Sequence, residues 1–299
     1  MEMNTPTPLQ SFAAAAQTST DIWRLIIALL VVFGGLLLFG LGIGAVGLLA
    51  GASEGAAAVL SGFETRTSAL VILATFLVWR PAIWVAIRLL YRRSYATLFG
   101  PSGSVNWSQF FRGLGIAAGF AILSTVLAWA YVGAPEWTGV AALPWLAFAC
   151  LAAPLIYIQS SAEELLFRGL LLQHMAARFG ALWAWGLVPS ALFGLLHWNP
   201  DGYGAAVWMV LLITGITGLI FALVTAATGN LGMAMGLHFG LNLYALLGIA
   251  PNEAFDALAL AHWPDDGEAL MRLLAIDLLT LMIACVVAVT FYRRSLRQG

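Results

Sequence analysis

Residues 22–50 read IWRLIIALLVVFGGLLLFGLGIGAVGLLA, a run with a single charge, Arg24. A helix needs about 20 apolar residues to cross the hydrocarbon of a bilayer, so this run by itself points to a membrane as solvent. The rest of the chain agrees. Of 299 residues, 62% are hydrophobic and 9% charged, against roughly half and a quarter in a soluble domain. The formal net charge is −1, and all thirteen basic residues are arginine. That leaves no basic field for nucleic acid and makes the lipid bilayer the expected partner. Cys150 and Cys285 lie inside apolar runs and read as small core hydrophobes, not as a metal knuckle or a disulfide pair. Residues 1–21 are polar and small, without the basic cluster of a secretory signal. They read as a short disordered tail ahead of a retained first helix.

Scanning at membrane length gives an all-α, polytopic protein with about eight transmembrane helices. The runs are Ile22–Ala50, Ser68–Tyr91, Phe110–Val132, Leu143–Phe179, Ala181–Trp198, Gly204–Thr228, Leu231–Ala250 and Ala269–Tyr292. The fourth is too long for one simple crossing. The second contains Arg80-Pro81, and either continues through it or stops there and resumes as a basic interfacial helix over 82–99. Arg88, Arg92, Arg93, Arg112, Arg178, Arg293, Arg294 and Arg297 fall on one side of an eight-span arrangement, and Arg24 starts the first span on that side. Glu54, Glu64, Arg66, Glu136, Asp201, Glu253, Asp256, Asp265, Asp266 and Glu268 fall on the other. By the positive-inside rule both termini face the cytoplasm. In a bacterium the chain would then be a multi-pass protein of the cell (inner) membrane. The segments are a cytoplasmic tail (1–21), N-terminal spans (22–132), a central group (143–250), an acidic extracytoplasmic loop (251–268), and a last span with a basic cytoplasmic tail (269–299).

Ionisable side chains at membrane depth are costly and therefore mark function by default. Three clusters stand out. In Ser161-Ala-Glu163-Glu164-Leu-Leu-Phe-Arg168-Gly169, Glu164 and Arg168 share a helix face at four-residue spacing. Glu163 points about 100° away and stays free of that pair. Phe193-Gly-Leu-Leu-His197 ends the fifth run, and His238-Phe-Gly-Leu-Asn242 puts imidazole and carboxamide on one face of the seventh. Each alone fits an ordinary ion pair, helix cap or interhelical hydrogen bond. Together they say more. Glu163 and His197 are equidistant from the break at Gly180, so in a helical hairpin both lie about 25 Å from the turn. His238 lies about 12 Å from a turn near Gly229-Asn230. The three groups meet at one level if the first hairpin protrudes further. Elsewhere, Asp277 either pairs with Arg272 or lines a cavity. His174 reads as cytoplasmic and His262 as a surface residue. Trp183, Trp185, Trp198, Trp208 and Trp263 suit interface belts, and Gly215 and Gly218 suit close helix packing.

The three motifs, in this order and on these helices, resemble the CAAX-protease and bacteriocin-processing family, which includes the eukaryotic endoprotease that trims prenylated CAAX proteins. The family pattern Glu-Glu-x-x-x-Arg, Phe-x-x-x-His, His-x-x-x-Asn falls here on Glu163, Glu164 and Arg168, on Phe193 and His197, and on His238 and Asn242. The resemblance implies that 143–250 is the catalytic core of an intramembrane endopeptidase. It implies that Glu163 activates water with help from His197, and that His238 and Asn242 form an oxyanion hole. Glu164, Arg168 and Phe193 would support them. The substrate would be a membrane-associated protein or peptide. No cofactor is implied, although Glu163, His197 and His238 are also a ligand set for a divalent metal in a metal-dependent protease. A transporter or proton-coupled carrier using the same buried groups is the rival reading. A non-catalytic binding protein is a third.

Overall fold

The structure is a computed structural model that describes residues 5–49, 65–264 and 266–297; Glu54, Glu64 and Asp265 fall outside them. Helices occupy every expected run: α1 (Pro8–Ala13), α2 (Ile22–Leu49), α3 (Arg66–Tyr91), α4 (Trp107–Tyr131), α5 (Ala142–Phe179), α6 (Trp183–Leu195), α7 (Pro200–Thr228), α8 (Gly232–Leu243) and α9 (Gly267–Ser295). Six of these, α2, α3, α4, α5, α7 and α9, are long and apolar enough to cross a membrane, while α6 and α8 are shorter. Side chains such as Leu38, Ile122 and Val286 stand out from the bundle at 71%, 67% and 67% exposure. In water such a surface would aggregate; against acyl chains it is matched.

Several expectations change. Of the two courses open at Arg80-Pro81 the helix takes the continuous one: α3 runs on, its ladder tightening to a 3₁₀ turn at Phe76–Val78 just before the proline. That turn accommodates the missing N–H and the ring's crowding of the preceding turn. The N-terminal tail is not wholly disordered, because Thr7 caps α1 and Phe12 is buried with 1% exposure. Cys150 is exposed on the apolar surface, so it is no core residue. The chain also has a small sheet that apolar patterning did not predict, with strands of two residues each. β1 (Glu136–Trp137), β2 (Ile249–Ala250) and β3 (Ala261–His262) pair in the order β1-β3-β2, antiparallel then parallel. This sheet closes one end of the bundle and folds the acidic loop onto it. His262 is buried there, its Nδ1 donating to Asp256 at 2.8 Å.

The placement of α8 sets the site. Its sequence repeats Gly232, Gly236 and Gly240 at four-residue spacing, a stripe that lets helix backbones approach closely. Gly236 lies directly on α4: a Cβ there would overlap the Phe110 carbonyl. Turned away from that stripe on α8, His238 and Asn242 face α5. Gly229, at φ +65°, caps α7 in the left-handed conformation and turns the chain into α8. The α4–α8 packing is therefore what holds His238 against the carboxylates of α5. Gly236→Val should lower stability by about 1–3 kcal/mol through overpacking against backbone, seen as a reduced thermal midpoint in detergent. An unchanged midpoint would mean that the two helices are not in this contact.

Candidate functional site

The Glu163–Arg168 motif straddles a change in helix type. The α-helical part of α5 ends at Glu164, and Leu165–Leu172 continue as a π-helix, a widening that often accompanies functional positions. Glu164 is fully buried. Its Oε1 accepts from Arg168 Nη1 at 2.9 Å and from His238 Nδ1 at 2.8 Å. The expected ion pair is present, and it is also the hinge on which the second histidine hangs. Arg168, with 2% exposure, spends its other Nη on the Gly218 carbonyl at 2.9 Å and lies over the rings of Phe193 and Phe221. A Cβ at position 218 would meet that guanidinium and Phe193, which explains the glycine.

Glu163 is separate from this pair, as the helical spacing predicted. Its Oε2 lies 3.5 Å from His238 Nε2, and its Oε1 accepts from Gln159 Nε2 at 2.6 Å. Gln159 Oε1 in turn accepts from Asn242 Nδ2 at 2.8 Å. Gln159 was missed in the sequence, although it stands four residues before Glu163, where a carboxamide shares the carboxylate's helix face. Of the two adjacent acids, the Glu163 side chain keeps 8% exposure and the Glu164 side chain none; Glu163 Oε2 is itself buried and accepts no hydrogen bond.

His197 follows the end of α6. Its Nδ1 donates to the Phe193 carbonyl at 2.9 Å, which fixes the tautomer and leaves Nε2 as an acceptor. It makes no hydrogen bond to Glu163 or His238 among the described residues. Phe193 joins them instead, its ring centroid 4.9 Å from that of His197 and 5.7 Å from that of His238. The predicted convergence of three helices thus runs through Phe193 and His238.

His197, His238 and Asn242 line a cavity of about 230 Å³. Glu163 is not one of its lining residues; it reaches the wall through His238 and through Gln159–Asn242. The cavity draws on more than the helices that carry the three motifs. Phe120 and Ser124 of α4 and Asp277 of α9 belong to its wall, and Tyr203 and Trp263 place it toward the sheet end of the bundle. A longer apolar groove of about 700 Å³ abuts it, sharing Phe120, Thr217, Phe221, Leu241 and Leu281 and ending at Arg294. Asp277 does not pair with Arg272, which binds Glu268; it accepts from Ser124 Oγ at 2.7 Å. Apart from Trp263, the other histidines and tryptophans named above lie away from this cavity. His174 is buried against Tyr91, with Nδ1 on the Leu170 carbonyl. Trp185 and Trp263 are core residues with 1% exposure, whereas Trp183, Trp198 and Trp208 are exposed as an interface belt requires. Among the described residues, no group of three or more His, Cys, Asp or Glu side chains is arranged to hold a metal ion.

Removing one partner of a buried ion pair leaves an uncompensated charge. Arg168→Met should therefore cost about 3–5 kcal/mol, read as loss of thermal stability in detergent. The double variant Glu164→Gln/Arg168→Met should be more stable than Arg168→Met alone. Additive losses would place the two side chains apart.

Three comparisons with known proteins bear on this geometry. The family model described as "Type II CAAX prenyl endopeptidase Rce1-like" matches residues 138–244. A curated relative, the "Uncharacterized protein YyaK" of Bacillus subtilis (strain 168), is 30% identical over 184 residues, covering 58% of this chain and 58% of the relative. The chain thus spans 58% of the length of the curated relative it matches. No solved structure matches it significantly. Over residues 138–244, which carry Glu163, Arg168, His197, His238 and Asn242, the chain is similar to the Rce1-like type II CAAX prenyl endopeptidases.

Proposed function

We propose that this chain is an intramembrane endopeptidase of the CAAX-protease and bacteriocin-processing type. On this reading it cuts membrane-associated proteins or peptides with a glutamate-activated water. The observation that carries the proposal is the approach of Glu163 Oε2 to His238 Nε2 at 3.5 Å, beside a cavity walled by His197, His238 and Asn242. Glu163 Oε2 takes a proton from water as its oxygen attacks the scissile carbonyl carbon. His197 Nε2, fixed as an acceptor by the Phe193 carbonyl, helps to orient that water. The negative oxygen that develops on the carbonyl is met by the second amide proton of Asn242, the first being held by Gln159. His238 joins it when Nε2 also carries a proton, a cation then flanked by Glu163 and Glu164. Fixed donors of this kind act strongly in a site shielded from water. The proton held by Glu163 then passes to the leaving amine.

The same reading places the chain in the cell membrane with both termini on the cytoplasmic side, in line with its arginine-rich ends. Reporter fusions at Gly299 should then be active only for a cytoplasmic reporter; activity of a periplasmic reporter there would reverse the orientation.

The enzymatic test compares the membrane proteome of cells carrying the wild-type chain with that of cells carrying Glu163→Gln. New protein termini should appear only with the wild type. Asn242→Ala should slow their appearance by about 100- to 1,000-fold, the usual loss for one oxyanion donor. Purified protein should keep its activity after treatment with a strong chelator; loss restored by added zinc would favour the metal-dependent mechanism. Undiminished cleavage by Glu163→Gln would end the proposal. Solute flux in proteoliposomes that needs Glu163, without any cleavage, would favour a carrier.

A further inference from the structure

Among the described residues, each acid in the catalytic neighbourhood faces a basic side chain except one. Glu164 holds Arg168 and His238, and Glu163 holds Gln159 and faces His238. Asp277, eleven residues into α9, lines the same cavity as His197, His238 and Asn242. Among the described residues the one hydrogen bond to its carboxylate comes from Ser124 Oγ at 2.7 Å, and no cationic side chain pairs with it. The nearest arginine in sequence, Arg272, is taken by Glu268. The wall around it is mostly apolar and aromatic, with Phe120, Trp263, Leu273 and Leu281. In such surroundings a carboxylate without a counter-charge is costly, and Ser124 alone does not compensate it. A cation entering the cavity would. The volume, about 230 Å³, is below the roughly 300–1,000 Å³ of sites for whole small ligands and suits a single side chain.

We propose that Asp277 is a specificity residue, and that the substrate segment seated beside the catalytic groups places a positively charged nitrogen, an ammonium or guanidinium, on its carboxylate. The nitrogen belongs to a lysine or arginine side chain or to a free N-terminus. This rests on the endopeptidase reading above. Asp277 takes no part in bond breaking. It fixes which residue of the chain lies in the cavity and therefore which peptide bond lies at Glu163.

The test uses the full-length protein in detergent and apolar peptides carrying lysine, arginine, norleucine or glutamate at each position in turn, with free or acetylated N-termini. Wild type should prefer lysine or arginine over norleucine at one position by about 10- to 100-fold in kcat/KM, the worth of a charged hydrogen bond, chiefly through KM. Glutamate there should be rejected. A preference lost on acetylation would assign the nitrogen to the N-terminus; one that persists would assign it to a side chain. In Asp277→Asn, which keeps the size and the Ser124 bond, the lysine-to-norleucine ratio should fall toward one, and in Asp277→Glu it should persist. Wild-type cleavage indifferent to charge at every position, or a ratio unchanged in Asp277→Asn, overturns the assignment while leaving the endopeptidase reading intact. Absence of any Glu163-dependent cleavage removes both.

Discussion

A carboxylate cannot stay ionised inside a bilayer without fixed partners, and Glu164 is where this chain meets that constraint most severely. It is fully buried, and one of its oxygens receives both the Arg168 guanidinium and the His238 imidazole. That single atom ties α5 to α8. Arg168 extends the tie to α7 through the Gly218 carbonyl and to α6 through the face of Phe193. Four helices are thereby locked at one level, and the adjacent Glu163, freed from structural duty, faces His238 with an unpaired oxygen. Two neighbouring acids of one helix thus have different tasks because they point in different directions.

Packing supplies what the polar groups need in order to meet. The Gly232, Gly236 and Gly240 stripe brings α8 so close to α4 and its N-cap that a Cβ at these positions would overlap Asn106, Phe110 or Ala117. The opposite side of α8 carries His238 to α5. Close backbone approach is the main source of helix association where lipid is as apolar as the helices themselves. The small sheet and the first turn of α7 then close the cavity end, bringing Tyr203 and Trp263 into the same wall as the histidines. The abutting groove, apolar along its length and ending at Arg294, gives the cavity a lateral, lipid-facing neighbour.

Much of this was legible in the sequence, for reasons that can be named. Helix class and the place of each apolar run follow from hydropathy, although among the described residues six helices and not eight are long and apolar enough to span, and Glu164–Arg168 follows from four-residue spacing. The turns at Gly180 and Gly229 appear as left-handed glycines where the hairpins required them. Of the two readings of Asp277, pairing with Arg272 or lining a cavity, the cavity is where it lies. The limits were equally physical. Sharing of Glu164 between Arg168 and His238 depends on the rotation of α8 about its axis, which spacing within one helix cannot give. The roles of Gln159 and Ser124 depend on register between helices. The sheet was invisible because strands of two residues carry no periodic signal. His262 read as a surface residue because its burial is created by the sheet alone. Pro81 reads as a helix stop in water, but within a bundle the 3₁₀ turn before it absorbs the distortion.

The central claim is that His238 donates a hydrogen bond from Nδ1–H to Glu164 and turns Nε2 toward Glu163. The chain has only four histidines, so nitrogen NMR of protein labelled with ¹⁵N at histidine addresses this directly. The account predicts that the His238 Nδ1 resonance is that of a protonated nitrogen bonded to a carboxylate and moves in Glu164→Gln. It predicts equally that Nε2 moves in Glu163→Gln. A bare Nδ1, or a His238 spectrum indifferent to both substitutions, would contradict it.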